Sequence, residues 1–79
     1  MNIEKEIEKN LKQIDELGFS KNIILNTKQV ARILGVSPSS IENYRRAGIG
    51  IDYIKIGERI MYSKRDVAEF LATKKIRTA

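Results

Sequence analysis

Apolar residues at the start of the chain recur at helical intervals. Ile3, Ile7, Leu11, Ile14 and Leu17 are spaced by 4, 4, 3 and 3 residues, which lines them up on one stripe of a 3.6-residue period. Glu8 and Lys12 form an i,i+4 pair in the favourable order, whereas Glu4 and Glu8 repel mildly. Gly18 closes this helix, and Phe19 folds back on its last turn. Two uses of the stripe are open. It packs on the chain's own core, or it pairs with another helix, since Ile7, Leu11 and Ile14 can be phased as d, a, d of a heptad.

After the apolar connector Lys21–Leu25, suited to a strand or an extended lead-in, the pattern turns helical again. Asn26-Thr27-Lys28-Gln29 has the form of a capping box, with Asn at the N-cap and Gln three residues on. Val30, Ile33 and Leu34 make an apolar face with Ala31 beside it, and Gly35-Val36 supplies the stop. Ser37 then offers a second N-cap, with Pro38 at the first helical position where its missing N–H costs nothing. Ile41 and Tyr44 predict the inner face of this second helix, which ends near Ala47-Gly48. Two short helices about a tight turn, with a small residue one turn before a glycine, have the spacing of a helix-turn-helix. Ala31 lets the helices cross closely, Gly35 takes the positive φ that a Cβ resists, and Val36, Ile41 and Tyr44 fill the wedge.

The period then changes to two. Ile54 and Ile56 alternate with Lys55, Ile60 and Tyr62 alternate with Met61, and Gly57-Glu58 between them suits a two-residue turn of type II′. A hairpin in this place is a wing. Ser63 and Asp66 offer a further cap, followed by the apolar face Val67, Phe70 and Leu71 and a basic end of Lys74, Lys75 and Arg77. The expected fold is mainly α with a small β-hairpin: a winged helix-turn-helix preceded by an extra amphipathic helix. It divides into residues 1–22 (helix and connector), 23–73 (winged helix-turn-helix) and 74–79 (basic tail).

Charge sharpens this picture. The 79 residues carry a net +5, but residues 1–19 hold three bases against five acids. Residues 20–79 therefore carry +7, so the basic part is the helix-turn-helix and wing, which suits an anionic partner. With no Cys and no His, disulfides, thiolate chemistry, the usual zinc sites and the usual general base are all excluded. The ten acids sit as caps, helix partners and surface charges, so no enzyme activity, cofactor or metal is expected. No apolar run approaches the ~20 residues of a membrane span, and the charges of Met1–Glu8 do not suit a signal peptide. The expectation is a soluble protein of a reducing compartment, without membrane contact.

For DNA, the outward positions of the second helix are Ser39, Ser40, Glu42, Asn43 and Arg46, with Arg45 toward the flank. Arg suits guanine O6/N7, Asn adenine N6/N7, Glu cytosine N4, and Ser several edges or phosphate. Thr27, Lys28, Arg32 and Ser37 are candidates for the phosphate backbone. Lys55, Gly57, Glu58 and Arg59 surround the wing tip, where a minor groove or phosphates come within reach.

From Ile24 to about Leu71 the chain resembles the small winged helix-turn-helix domains of the MerR-like excisionase and AlpA-type regulator families. The matching residues are Leu25-Asn26-Thr27-Lys28-Gln29-Val30-Ala31, Leu34-Gly35-Val36-Ser37, and Ile41 with Tyr44-Arg45-Arg46 and Gly48. Tyr53-Ile54-Lys55-Ile56-Gly57 with Arg59, Tyr62-Ser63, Asp66-Val67 and Phe70-Leu71 continue the match. The resemblance implies sequence-specific binding to double-stranded DNA, with the helix from Pro38 in a major groove and the wing on minor groove or backbone. It further implies a cytoplasmic, nucleoid-associated protein of a prokaryotic, phage or plasmid context. There it acts as an excisionase-like recombination directionality factor or a transcription regulator of a mobile element. The N-terminal helix lies outside the resemblance. Its stripe leaves open a homodimer, a cooperative multimer on DNA, or an adaptor that recruits a recombinase, integrase or replication partner.

Overall fold

The computed structural model describes residues 2–74 of the chain. Helix α1 (Ile3–Ile14) starts where the Asn2 side chain accepts the Glu4 amide at 3.0 Å. It runs into a wide π-type turn, Asp15–Phe19, in which Gly18 takes φ 100° and the Phe19 ring folds into the core, 7% exposed. Strand β1 (Ile24–Asn26) leads into α2 (Thr27–Leu34), and α3 (Pro38–Ala47) follows. Strands β2 (Ile54–Ile56) and β3 (Arg59–Ser63) form the hairpin, and α4 (Lys64–Thr73) closes the described fold.

The helix boundaries follow the capping chemistry. At α2 the Asn26 side chain accepts the Gln29 amide at 2.8 Å, while the Gln29 side chain accepts the Asn26 amide at 2.9 Å, a complete capping box. Gly35 has φ 71°, and the Val36 amide reaches back to the Ala31 carbonyl at 3.0 Å, a Schellman turn that hands the chain to α3. Ser37 and Ser63 cap α3 and α4 through the amides of Ser40 and Asp66.

Two features of the sheet add to the expected hairpin, the first being the strand that is one of the two readings of the connector. The connector supplies a third strand, so the order is β1-β3-β2, all antiparallel, with Leu25 opposite Tyr62. The register also pairs Lys55 with Ile60 and Ile54 with Met61. Because side chains alternate across a pleat, Ile54 and Ile56 then share the Met61 face, away from buried Tyr62, and are 40% and 50% exposed. At the hairpin tip Gly57 has φ 60°, and no non-glycine described residue has a positive φ, so Glu58 has a negative one. That combination is the expected II′ turn.

One core joins every layer. Leu25, Val30, Ala31, Ile41, Tyr62, Val67 and Ala68 form it together with Ile7 and Ile14, which are 2% and 1% exposed. The stripe of α1 is thus spent mainly on the chain's own α4, the first of its two expected uses. Polar ties reinforce the contact. Lys64 Nζ donates to Asp15 at 2.7 Å and to the Phe19 carbonyl at 3.2 Å, and Asn10 Nδ2 donates to the Ala68 carbonyl at 3.0 Å. Arg65 reaches both Glu4 carboxylate oxygens at 2.9 and 3.0 Å. For pairing with another chain, Ile7 and Ile14 are unavailable because α4 covers them; Leu11 is half-buried, and Ile3 and Leu17 remain about half exposed. Of the expected basic tail, Lys75 and Arg77 lie outside the described residues, and Lys74 sits 5.7 Å from the Phe70 ring. Among the described residues no helix is long and apolar enough to cross a membrane.

Candidate nucleic-acid interface

Helix α3 is fixed from beneath by Ile41, 3% exposed, which packs where small Ala31 lets α2 approach. Burying that side turns Ser39, Glu42, Asn43 and Arg46 outward, and all four are exposed. They stand at i, i+3, i+4 and i+7, one stripe of the helix, so a single groove-sized surface carries hydroxyl, carboxylate, amide and guanidinium groups together. Ser37 and Ser40 are occupied differently. Ser37 Oγ accepts the Ser40 amide at 3.2 Å and lies 3.0 Å from Ser40 Oγ, so both hydroxyls are engaged in starting the helix.

One expected detail of α3 is corrected and another sharpened. Tyr44 does not fill the wedge; it is 38% exposed beside the loop after the helix, where Gly50 passes so close that a Cβ there would lie 3.0 Å from Tyr44 Cβ. Arg45, expected toward the flank, is found there with its side chain turned to the loop after the helix. Four residues after buried Ile41, it is half-buried, and its guanidinium stands 5.6 Å from the centre of the Tyr53 ring. Helical phase explains both. Position 45 sits below the C-terminal turn of α3, and its aliphatic stem covers apolar surface there while Tyr53 receives the charged head.

Beneath Arg45 lies Tyr62. Its hydroxyl is buried and, among the described residues, has no close, well-directed hydrogen bond, the Arg45 guanidinium being the donor that acts on it. Burial pushes its pKa above 10.0; the Arg45 charge opposes the shift, and the Glu42 carboxylate adds to it.

A second surface forms beside α2. Asn26, Thr27 and Lys28 from the start of α2 and Arg59, Ile60 and Met61 from β3 line one open groove. Three sequence candidates, Thr27, Lys28 and Arg59, are therefore brought together from segments about thirty residues apart. Arg32 is held elsewhere, with its guanidinium 5.8 Å from the Phe19 ring. Lys55, Gly57 and Glu58 are exposed around the wing, but Lys55 lies on the opposite pleat face from Arg59. Tyr53 is the participant that spacing does not reveal. It meets Arg45 only because the loop after α3 folds back, and nothing periodic links the two positions.

No group of acidic side chains among the described residues is arranged to hold a metal ion. What the surface can do chemically is present cations and hydrogen-bonding edges to a polyanion. Comparisons with curated proteins and with solved structures return no match. A comparison with protein families matches residues 24–75, about two thirds of the chain, to the helix-turn-helix domain family. The match starts at β1 and takes in both helices of the turn, the wing and α4, the elements that build the two surfaces just described. This chain belongs to the helix-turn-helix domain family and is a small DNA-binding protein.

Proposed function

We propose that the chain binds double-stranded DNA sequence-specifically and acts on mobile-element DNA, as an excisionase-like recombination directionality factor or a transcription regulator. In this proposal α3 enters a major groove, where Ser39, Glu42, Asn43 and Arg46 face base edges. Thr27, Lys28 and Arg59 hold the phosphate backbone beside it, and the Gly57-Glu58 turn reaches the minor groove or the adjacent backbone. The chief support is the exposed stripe on α3, a single surface with four different hydrogen-bonding groups. The net +7 of residues 20–79 supplies the field that draws DNA to it.

The test is fluorescence anisotropy on duplexes enriched by the protein from a random-sequence pool, repeated over a range of salt. Affinity falls with salt at a log–log slope of about −0.9 per phosphate contact. Lys28→Ala weakens all duplexes about equally and lowers the slope by about one contact, whereas Arg46→Ala relaxes base preference at a cost of ~1–3 kcal/mol. Absence of binding at low salt refutes the proposal. Recruitment of a recombinase or of a second copy through α1 is the second choice, since α1 offers such a partner chiefly Ile3 and Leu17.

A further inference from the structure

The recognition helix and the wing must meet one duplex together, and the base of the wing is tied to the helix from beneath, since α2 packs on both α3 and β3 and Ile41 shares the buried core with Tyr62. Toward the outer side the two are joined by the loop between them. The first half of that loop is anchored: the Ile49 amide bonds the Tyr44 carbonyl at 3.1 Å, Gly50 lies against the Tyr44 backbone, and Ile51 is 8% exposed. Asp52 and Tyr53 beyond it are exposed, and β2 starts at the next residue. At this free end Arg45 reaches out of α3 to the Tyr53 ring at 5.6 Å.

Arg45 is badly placed to read DNA itself. At about 100° per residue it lies roughly 120° around the helix from the centre of the Ser39–Arg46 stripe. Its side chain is half-buried, with the guanidinium at the Tyr53 ring just before β2 and its charge felt by the Tyr62 hydroxyl on β3. The Tyr53 ring, one residue before β2, thus faces a guanidinium that is planar, permanently charged and suited to stacking, while the same charge acts on the Tyr62 hydroxyl of β3.

We propose that Arg45 is a positioning residue: stacked on Tyr53, it locks the wing to the recognition helix and so sets the spacing between the major-groove contact and the wing contact on DNA. The proposal rests on the DNA-binding function above. It makes the Arg45–Tyr53 pair a determinant of site length and not of base identity. Loss of either partner leaves the α3 stripe intact but lets the wing wander.

The experiment is hydroxyl-radical footprinting and anisotropy on a duplex that the wild-type protein enriches from a random pool, with the variants Tyr53→Ala, Tyr53→Phe, Arg45→Gln and the double variant Tyr53→Ala/Arg45→Gln. Tyr53 is 48% exposed, so its replacement leaves the core untouched. Tyr53→Ala and Arg45→Gln each lose protection at the wing's nucleotides and keep it at those of α3, with about 3- to 30-fold weaker binding. Tyr53→Phe, which keeps the ring, behaves as wild type. The double variant is no weaker than the worse single one, as expected when one residue acts through the other. Full wing protection in Tyr53→Ala, or losses that multiply in the double variant, overturns the proposal; multiplying losses mean that Arg45 contacts DNA directly. A wild-type protein that enriches no duplex overturns DNA binding itself, and this proposal with it.

Discussion

Replacing Ile14 by Ala tests which use the α1 stripe serves. Ile14 is 1% exposed in the shared core, whereas Leu17, three residues on along the same stripe, is 46% exposed. A fully buried Ile→Ala change removes three carbons and leaves a cavity, which costs ~2–5 kcal/mol. Exposed apolar positions change stability by no more than about 0.5 kcal/mol. The whole domain, at 79 residues, has a stability of roughly 4–12 kcal/mol. Ile14→Ala therefore removes a large share of it, while Leu17→Ala removes almost none. Urea unfolding followed by far-ultraviolet circular dichroism reads the difference, and thermal melts should show it as a drop of about 10 °C or more for Ile14→Ala. Solution mass, measured by light scattering at the same concentrations, should be unchanged in both variants. Unaltered stability in Ile14→Ala, combined with a fall in mass, would refute the placement of this stripe on α4 and make α1 an assembly helix.

Tyr62→Phe should change stability at neutral pH by no more than about 1 kcal/mol in either direction, because the buried hydroxyl it removes has no well-directed hydrogen bond and only the Arg45 guanidinium acting on it. The variant should gain on the wild type above pH 10. With the folded pKa raised by burial, the wild type keeps its full tyrosine contribution below 10.0 and loses it as pH climbs from there toward the folded value. Urea midpoints at pH 8 and pH 10.5 measure both effects, and a wild-type protein that gains on Tyr62→Phe at high pH would contradict the second. Asn26→Ala removes the side-chain arm of the capping box, leaving the residue-26 amide to donate to Gln29, and should cost ~1 kcal/mol in the same urea assay. It should also raise amide exchange in the first turn of α2, next to Lys28.

Much of this architecture is legible in the chain because its signals are local. Asn26 and Gln29 find each other within one turn, Gly35-Val36 closes the Schellman stop, Ser37-Pro38 restarts the helix, and Gly57-Glu58 forms the hairpin turn. The outward stripe on α3 follows from those boundaries and from Ile41 facing in. What pattern alone misses is set by long-range register and phase. Whether Lys21–Leu25 forms a strand depends on the β3 edge being free to take Ile24–Asn26. The exposure of Ile54 and Ile56 depends on Lys55 pairing with Ile60, a choice made by the turn and not by the alternation in β2. Arg45 and Tyr44 are neighbours in sequence, and the half-buried place beneath the helix end goes to the charged one. A guanidinium there can stack on Tyr53, while Tyr44 is crowded outward by the passage of Gly50.

The pairing of α1 with α4 also has a consequence in time. Arg65 lies 61 residues after Glu4, to which it is joined. At ~5–20 residues per second of synthesis, α1 is complete roughly 3–12 s before its partner exists. During that interval Ile7 and Ile14 have nothing of their own chain to cover them, so the nascent protein is most prone to unwanted association before α4 is made. A shortened chain that stops before Val67 stays in that condition permanently. Nonsense mutations in the last segment should therefore produce an aggregating protein, with its helix-turn-helix residues present and its first helix left bare.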